Sequence, residues 1–472
     1  MFRRISQFCK QLFDDGQTTK AQQEDNTDTG LSLEVIPRDG HSISRRQISE
    51  NALKVLYRLH KSGFHAYLVG GGVRDLLLGL EPKDFDVVTN ATPEEIKKLF
   101  RNCRLVGRRF RLAHIVFGRD VIEVATFRGH HGNSEEKISK VNSAGRLLRD
   151  NVYGDIDEDA ERRDFTVNAL YYNIADYSIR SYGGGIHDLK ARTLRLIGDP
   201  ETRYREDPVR MLRAVRFATK LGMSIEKRTA APIKSLAPLL KDIPAARMYE
   251  EVLKLFFAGK ALNNYQMMRE YQLFAPIFPL VESLLRDDPK GPAARLLSEM
   301  MHNTDVRVGE DKPVTPAFFY AALLWYPLQN RAQDIALESG LSPYDAFFAA
   351  MGDVLEQQCR SVSIPRRFST PARDIWQLQM RFERSQGGRA FKLMEHPKFR
   401  AAYDLLLLRA NAEGGNLAKQ ASWWQQFVES DDEQKQQLVR SGSKSNGSRN
   451  RNANQRRRRK PRRPSEKPQA AE

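Results

Sequence analysis

The hydrophobic pattern changes period along the chain. Over residues 49–60 apolar side chains recur at Ala52, Val55, Leu56 and Leu59, one face of a helix. The apolar run 66–69 then predicts a buried strand. It is closed by Gly70-Gly71-Gly72-Val73-Arg74-Asp75, a glycine turn opening a short helix that Gly79 stops. A second strand is predicted over 84–88. Thr92-Pro93-Glu94-Glu95 marks a helix start, with Thr92 as N-cap and Pro93 in the first position. Further strands are expected at 112–117 and 121–127, followed by a polar loop over 129–150. Residues 157–169 read as a helix, 170–174 as a strand, and 180–197 as a hairpin or strand pair around Gly183-Gly184-Gly185. Beyond Pro208 strand signals nearly vanish, and proline-punctuated helical stretches run to about residue 430.

This order implies an α+β protein with a mixed-sheet head and an all-helical remainder. The expected divisions are a flexible leader 1–48, a head 49–197, a helical neck 198–262, a helical body 263–430 and a disordered basic tail 431–472. No internal repeat is present. Charge sharpens the picture. The chain has 472 residues and a net charge of +17. Residues 440–472 hold twelve Lys and Arg against Glu466 and Glu472, so +10 of the charge sits there and +7 on the rest. A polyanionic partner is implied. Three cysteines, Cys9, Cys103 and Cys359, are too few and scattered for a disulfide framework, and a reducing cytoplasm fits. No apolar run reaches the ~20 residues of a bilayer span. Phe2, Ile5, Phe8 and Leu12 form an apolar stripe among cations, suited either to weak membrane-surface contact or to a frayed leader.

The chemistry-bearing feature is Asp84-Phe85-Asp86. On a strand, alternation would put both carboxylates on one face. Such a pair repels itself unless a cation sits between, and Mg²⁺, completed by substrate phosphates, is the natural occupant. The glycine turn supplies bare backbone that can approach a triphosphate. It fits neither the dinucleotide fingerprint, which needs a third Gly where Asp75 stands, nor the Walker loop. The two elements together point to metal-dependent phosphoryl transfer.

Leu68-Val69-Gly70-Gly71-Gly72-Val73-Arg74-Asp75 followed by Asp84-Phe85-Asp86 resembles the polymerase-β-like nucleotidyltransferases, within them the class of bacterial poly(A) polymerases and CCA-adding enzymes. Arg162-Arg163-Asp164-Phe165-Thr166-Val167-Asn168-Ala169 and Arg205-Glu206-Asp207-Pro208-Val209-Arg210 follow in family order. The resemblance is dense over roughly 50–260 and looser to about 430. It implies a polymerase-β-like head in which Asp84 and Asp86 hold two Mg²⁺ ions, with Mn²⁺ as an alternative. Asp164 belongs to the family's Arg-Arg-Asp motif and is taken as a further catalytic carboxylate, with Glu123 the geometric rival or a structural ion pair; both stay open. Gly71, Gly72, Arg74, Arg163 and Asn168 would contact the nucleotide. Glu206, Asp207 and Arg210 match the base-reading motif, where a fixed carboxylate and guanidinium can pair with a Watson–Crick edge. Arg213 and Arg216 read as a solvated stripe. Arg247, Glu250, Glu251 and Lys254 resemble a later motif, or are helix-stabilising pairs.

Residues 105–114, with Arg108, Arg109 and Arg111, resemble the stretch that marks poly(A) polymerases rather than CCA-adding enzymes. These arginines, with Arg456, Arg457, Arg458, Arg459 and Lys460 in the tail, are the expected RNA contacts. The resemblance therefore implies template-independent transfer of AMP from ATP to RNA 3′ ends. It also implies a role in tagging RNA for decay; a monomer is expected, with RNA-decay proteins as candidate partners. The alternatives are CCA addition to tRNA and an inactive RNA-binding protein.

Overall fold

The computed structural model describes residues 31–107, 111–129, 152–384 and 388–440. The chain divides into two units, Met1–Leu240 and Lys241–Glu472, so the division falls inside the expected neck.

The first unit is built on an eight-stranded mixed sheet. Its strands are β1 (Leu33–Ile36), β2 (Ala66–Val69), β3 (Asp86–Thr89), β4 (Cys103–Val106), β5 (Leu112–Phe117), β6 (Asp120–Thr126), β7 (Leu170–Asn173) and β8 (Ile179–Tyr182). They lie in the spatial order β1-β8-β7-β2-β3-β6-β5-β4, with β3 and β6 parallel and the other neighbours antiparallel. Helices α1 (Glu50–Lys61), α2 (Gly71–Leu77), α3 (Pro93–Leu99), α4 (Ile156–Glu161) and α5 (Gly185–Lys190) connect them. Two further helices, α6 (Pro200–Glu206) and α7 (Val209–Leu221), precede the short α8 (Lys227–Ala230) and α9 (Ile233–Leu236).

Local signals explain most of this. Ser49 caps α1 by accepting from the Ala52 amide, and α1 buries the four apolar residues its periodicity singles out. Thr92 and Glu95 close a capping box on α3. The central strand β2 is buried along its whole length, as its unbroken apolar run requires.

Four expectations are corrected. The leader is not flexible throughout, because β1 pairs with β8. Leu33 and Val35 remain exposed there, so the backbone ladder holds the strand and no burial pattern advertised it. The helix expected over 157–169 stops at Glu161. The Asp164 carboxylate takes the amide of Phe165 at 2.9 Å, and Phe165 turns extended to bridge Leu196. The glycines at 183–185 make no hairpin. Gly183 and Gly184 adopt φ of 61° and 76°, and a Cβ on Gly185 would lie 2.4 Å from the Thr166 carbonyl. They let α5 pack against the chain at Thr166, while β9 (Thr193–Leu194) pairs instead with β10 (Ser224–Ile225). Finally β3 begins at Asp86, which leaves Asp84 in the segment before the strand.

The second unit is all helical among the described residues, from α10 (Ala245–Phe256) to the last long helix, Gly415–Glu429. Prolines 279, 292, 316 and 343 open helices at the first position, where no amide is needed. Trp325, Trp376 and Trp424 are fully buried in its core, and the Trp376 indole donates to the Ala321 carbonyl at 2.8 Å. On α10, Lys254 pairs with Glu251 at 2.8 Å, a helix-stabilising i,i+3 contact.

Candidate active site

Strand register brings the glycine turn to the acidic pair. β2 and β3 run antiparallel with Val69 opposite Asp86, so the chain leaves β2 into the turn where β3 begins. Gly70 takes φ 68° and ψ −124°, a conformation that strains residues with a Cβ. A Cβ there would also stand 3.3 Å from the Arg163 Nη1. A Cβ on Gly72 would sit 3.5 Å from the Asp84 carbonyl, and one on Gly71 3.5 Å from the Arg74 Nη2. The three glycines let the chain lie close against Asp84 and Arg163.

A third carboxylate joins from β6. That strand is parallel to β3 with Val87 opposite Val124, so Asp86 and Glu123 occupy neighbouring positions on the same face. Glu123 is half exposed, with His114 on β5 at 3.5 Å. Asp86 reaches solvent but is crowded by protein. Desolvation first, then the charges of Glu123 and Asp84, push its carboxyl up to about 6 against the pull of Arg163. This donor set fits a divalent ion, whose charge would relieve that repulsion. Among the described residues no three His, Cys, Asp or Glu side chains converge to hold an ion alone, so substrate oxygens and water would complete the shell.

Arg163 is oriented by two partners. Its Nε donates to the Tyr171 hydroxyl at 2.7 Å and its Nη2 to Asp159 at 2.9 Å, which leaves Nη1 beside the glycine turn. Burial alone would lower the Arg163 pKa; Tyr171 and Asp159 raise it above its ordinary value. Asp164 is placed differently. Its Oδ1 accepts from the Phe165 amide and from Asn168 Nδ2 at 3.0 Å, and its Oδ2 accepts from both Nε and Nη2 of Arg213. Burial would raise this carboxyl, but Arg213 and these hydrogen bonds hold it below the usual value. Asn168 in turn accepts from Arg74 Nη1 at 2.6 Å, while the other Arg74 nitrogens bind Asp75. Arg74 is only 3% exposed, so its guanidinium faces inward into this network. Asp164, Asn168 and Arg74 thus tie α2, the 164–168 segment and α7 together.

Arg213, part of a solvated stripe by sequence, instead holds Asp164. The signal is its spacing: Arg213 and Arg216 stand four and one residues before Phe217, whose ring has the guanidinium carbons of Arg74, Arg213 and Arg216 within 5.4, 5.2 and 4.5 Å.

The residues expected to read the base, Glu206, Asp207 and Arg210, lie at the junction of α6 and α7. Glu206, half exposed, accepts from Arg210 Nη1 at 2.8 Å and from Arg203 Nη1 at 2.9 Å. Asp207 caps the turn by accepting from the Val209 amide at 3.2 Å. Arg111 lies apart in an exposed ion pair with Glu94 at 2.6 Å. Arg108, Arg109, Arg456, Arg457, Arg458, Arg459 and Lys460 lie outside the described residues.

Three family models match the chain: the Poly A polymerase head domain over 66–195, the probable RNA and SrmB-binding site of polymerase A over 222–285, and the polymerase A arginine-rich C-terminus over 339–464. Poly(A) polymerase I of Escherichia coli O6:H1 is 57% identical over 433 residues, covering 90% of this chain and 92% of that one. The CCA-adding enzyme of Lactobacillus helveticus is 37% identical over 222 residues, covering 47% of this chain and 53% of its own. Among solved structures, the Bacillus stearothermophilus CCA-adding enzyme in complex with CTP superposes with a TM-score of 0.53 at 24% identity, over 80% of this chain and 81% of that one, a likeness of fold. The acidic strand edge, the glycine turn beside it and the arginine network belong to a sequence matched along nine-tenths of its length, and the chain is a member of the bacterial poly(A) polymerase family.

Proposed function

We propose that this nucleotidyltransferase extends RNA 3′ ends with AMP from ATP, without a template. The observation that carries the reading is the register of Asp86 opposite Val69, which sets the paired carboxylates against the glycine turn. The RNA 3′-hydroxyl oxygen attacks the α-phosphorus of ATP, its proton passes to water, and the bond to pyrophosphate breaks, with pyrophosphate leaving. Asp84 and Asp86 would hold two divalent ions, with Glu123 the better-placed third carboxylate because both Asp164 oxygens are engaged. When bound, Mg²⁺ would supply acidification of the 3′-hydroxyl and neutralisation of the triphosphate. The chain's own residues do the rest. The glycine turn admits the triphosphate to within reach of backbone. Arg163, held by Tyr171 and Asp159, directs Nη1 there to bind phosphate. Glu206 presents an acceptor and Arg210 a donor to the adenine edge, so the protein takes the place of a template.

Beyond the reaction, we read the chain as cytoplasmic and monomeric, marking RNA for decay with decay proteins as partners, and touching membrane at most weakly through its leader. The test of the activity is a primer-extension gel with Mg²⁺ and labelled RNA ending in neither C nor CCA, with ATP and CTP supplied separately. A long ladder with ATP alone supports the proposal. Two C additions followed by one A would make it a CCA adder, and no extension by protein that still binds RNA would make it a binding protein.

A further inference from the structure

Arg203 stands between the two halves of the site. From the last turn of α6 its Nη2 donates to the carbonyls of Arg162 at 3.0 Å and Arg163 at 2.7 Å, just past the end of α4. Helix-end carbonyls have no partner within the helix, so this guanidinium satisfies them. Its Nη1 donates to Glu206 Oε2 at 2.9 Å, the oxygen that also receives Arg210. Arg210 returns the contact by donating to the Arg203 carbonyl at 2.7 Å. The Arg203 side chain is 14% exposed, and its Nε is enclosed with no hydrogen-bond partner. An enclosed donor left unsatisfied is unfavourable, so the geometry at Nη1 and Nη2 must offset it.

We propose that Arg203 is a positioning residue for nucleotide selection, which fixes the Glu206–Arg210 pair relative to the segment that carries Arg163. The inference rests on the reading of Glu206 and Arg210 as base contacts. One guanidinium plane reaches both sides at once, tying the carboxylate that meets the base to the backbone of the arginine that meets phosphate. A lysine keeps the charge but presents a compact ammonium on a flexible stem, which cannot bridge the two in one fixed plane. Without the bridge, Glu206 and Arg210 still attract each other, but the pair is free to shift with α6, and a base of the wrong shape is rejected less strongly.

The test is the ratio of kcat/KM for ATP to that for CTP in single-nucleotide extension of an RNA primer by the full chain. Arg203→Gln and Arg203→Lys are each expected to lower that ratio about tenfold, mainly by raising KM for ATP, with kcat changed less. In an Arg210→Ala background the further change Arg203→Gln is expected to alter the ratio less than about twofold, because both act through one contact. A wild-type ratio in Arg203→Lys, or effects of Arg203→Gln and Arg210→Ala that multiply in full, would overturn the proposal and leave Arg203 a structural residue. Loss of folding in Arg203→Gln alone does not bear on the Lys variant, which carries the same reading. If Arg210→Ala by itself leaves the ratio intact, the base-reading assignment fails first and the role of Arg203 falls with it.

Discussion

Arg213 grips Asp164 across 49 residues of sequence, with Nε 2.7 Å from the carboxylate and Nη2 on the same oxygen. The other Asp164 oxygen continues through Asn168 to Arg74 and Asp75, so one chain of hydrogen bonds runs from α7 to the glycine-turn helix. Removing one partner of such a pair strands the other. Arg213 is a third exposed, which places the expected loss for Arg213→Ala at the lower end, about 2–3 kcal/mol. All four tryptophans lie beyond residue 320, so indole fluorescence reports on the second unit. Hydrogen exchange at α7 and β7 is the measurement; unchanged protection there would show the network adds nothing to stability.

The same pair sets an acid limit. Asp164 is held below its ordinary pKa in the folded state, so the unfolded chain binds that proton more readily. Its stabilisation is therefore complete above the unfolded value of about 4 and is lost as pH falls through the lower folded value. Asp164→Asn is expected to be less stable than the parent at pH 7, yet to lose less stability between about pH 4 and pH 2. Parallel acid-unfolding curves for the two would contradict this.

At the acidic strand edge, function and stability should separate. Asp86 is crowded by Glu123 and Asp84, so Asp86→Asn removes repulsion while deleting a proposed metal ligand. Extension should fall on the order of 10³-fold or more, with the melting temperature unchanged or raised in the absence of divalent ions. Substantial residual turnover would move the catalytic centre elsewhere.

Much of this was legible in the sequence, and the remainder was hidden for identifiable reasons. Ser49 and Thr92 announce their helices because capping and periodicity are local properties. The nearness of Asp86 to the glycine turn could be read from their short separation along the chain. Arg213, Glu123 and Arg203 could not be settled, because each takes its role from a partner distant in sequence. Asp164 is the instructive case: its motif names it as important, but only the observed Arg213 contact shows both oxygens already engaged. Strand β1 escaped for the opposite reason, since its exposed Leu33 and Val35 leave no burial pattern to read.

Gly70 offers a test of the turn itself, with Gly63 as its control. Both have positive φ, 68° and 86°, but a Cβ on Gly63 meets nothing within 4 Å, whereas one on Gly70 meets Arg163 Nη1 at 3.3 Å. Each alanine variant should lose about 1–2 kcal/mol from backbone strain. Only Gly70→Ala should also raise KM for ATP, because it displaces the Arg163 guanidinium proposed to bind phosphate. Equal KM values in the two variants would show that Arg163 does not bind the nucleotide.

The basic tail makes a prediction that depends on salt. Residues 440–472 carry a net charge of +10, more than half of the whole chain's +17. Cations that neutralise RNA phosphates release counterions, and each contact steepens the fall of log K with log salt by roughly 0.7 for single strands. A chain ending at residue 439 should bind RNA more weakly at low salt and show a slope flatter by about 2 or more, the equivalent of at least three lost phosphate contacts. Because these contacts carry no base information, the preference for ATP in single-nucleotide extension should stay as it was. A weaker affinity with an unchanged slope would mean that the deletion disturbs the folded body. An unchanged affinity and slope would mean that the arginine run does not touch RNA, and the charge would need another polyanion as its partner.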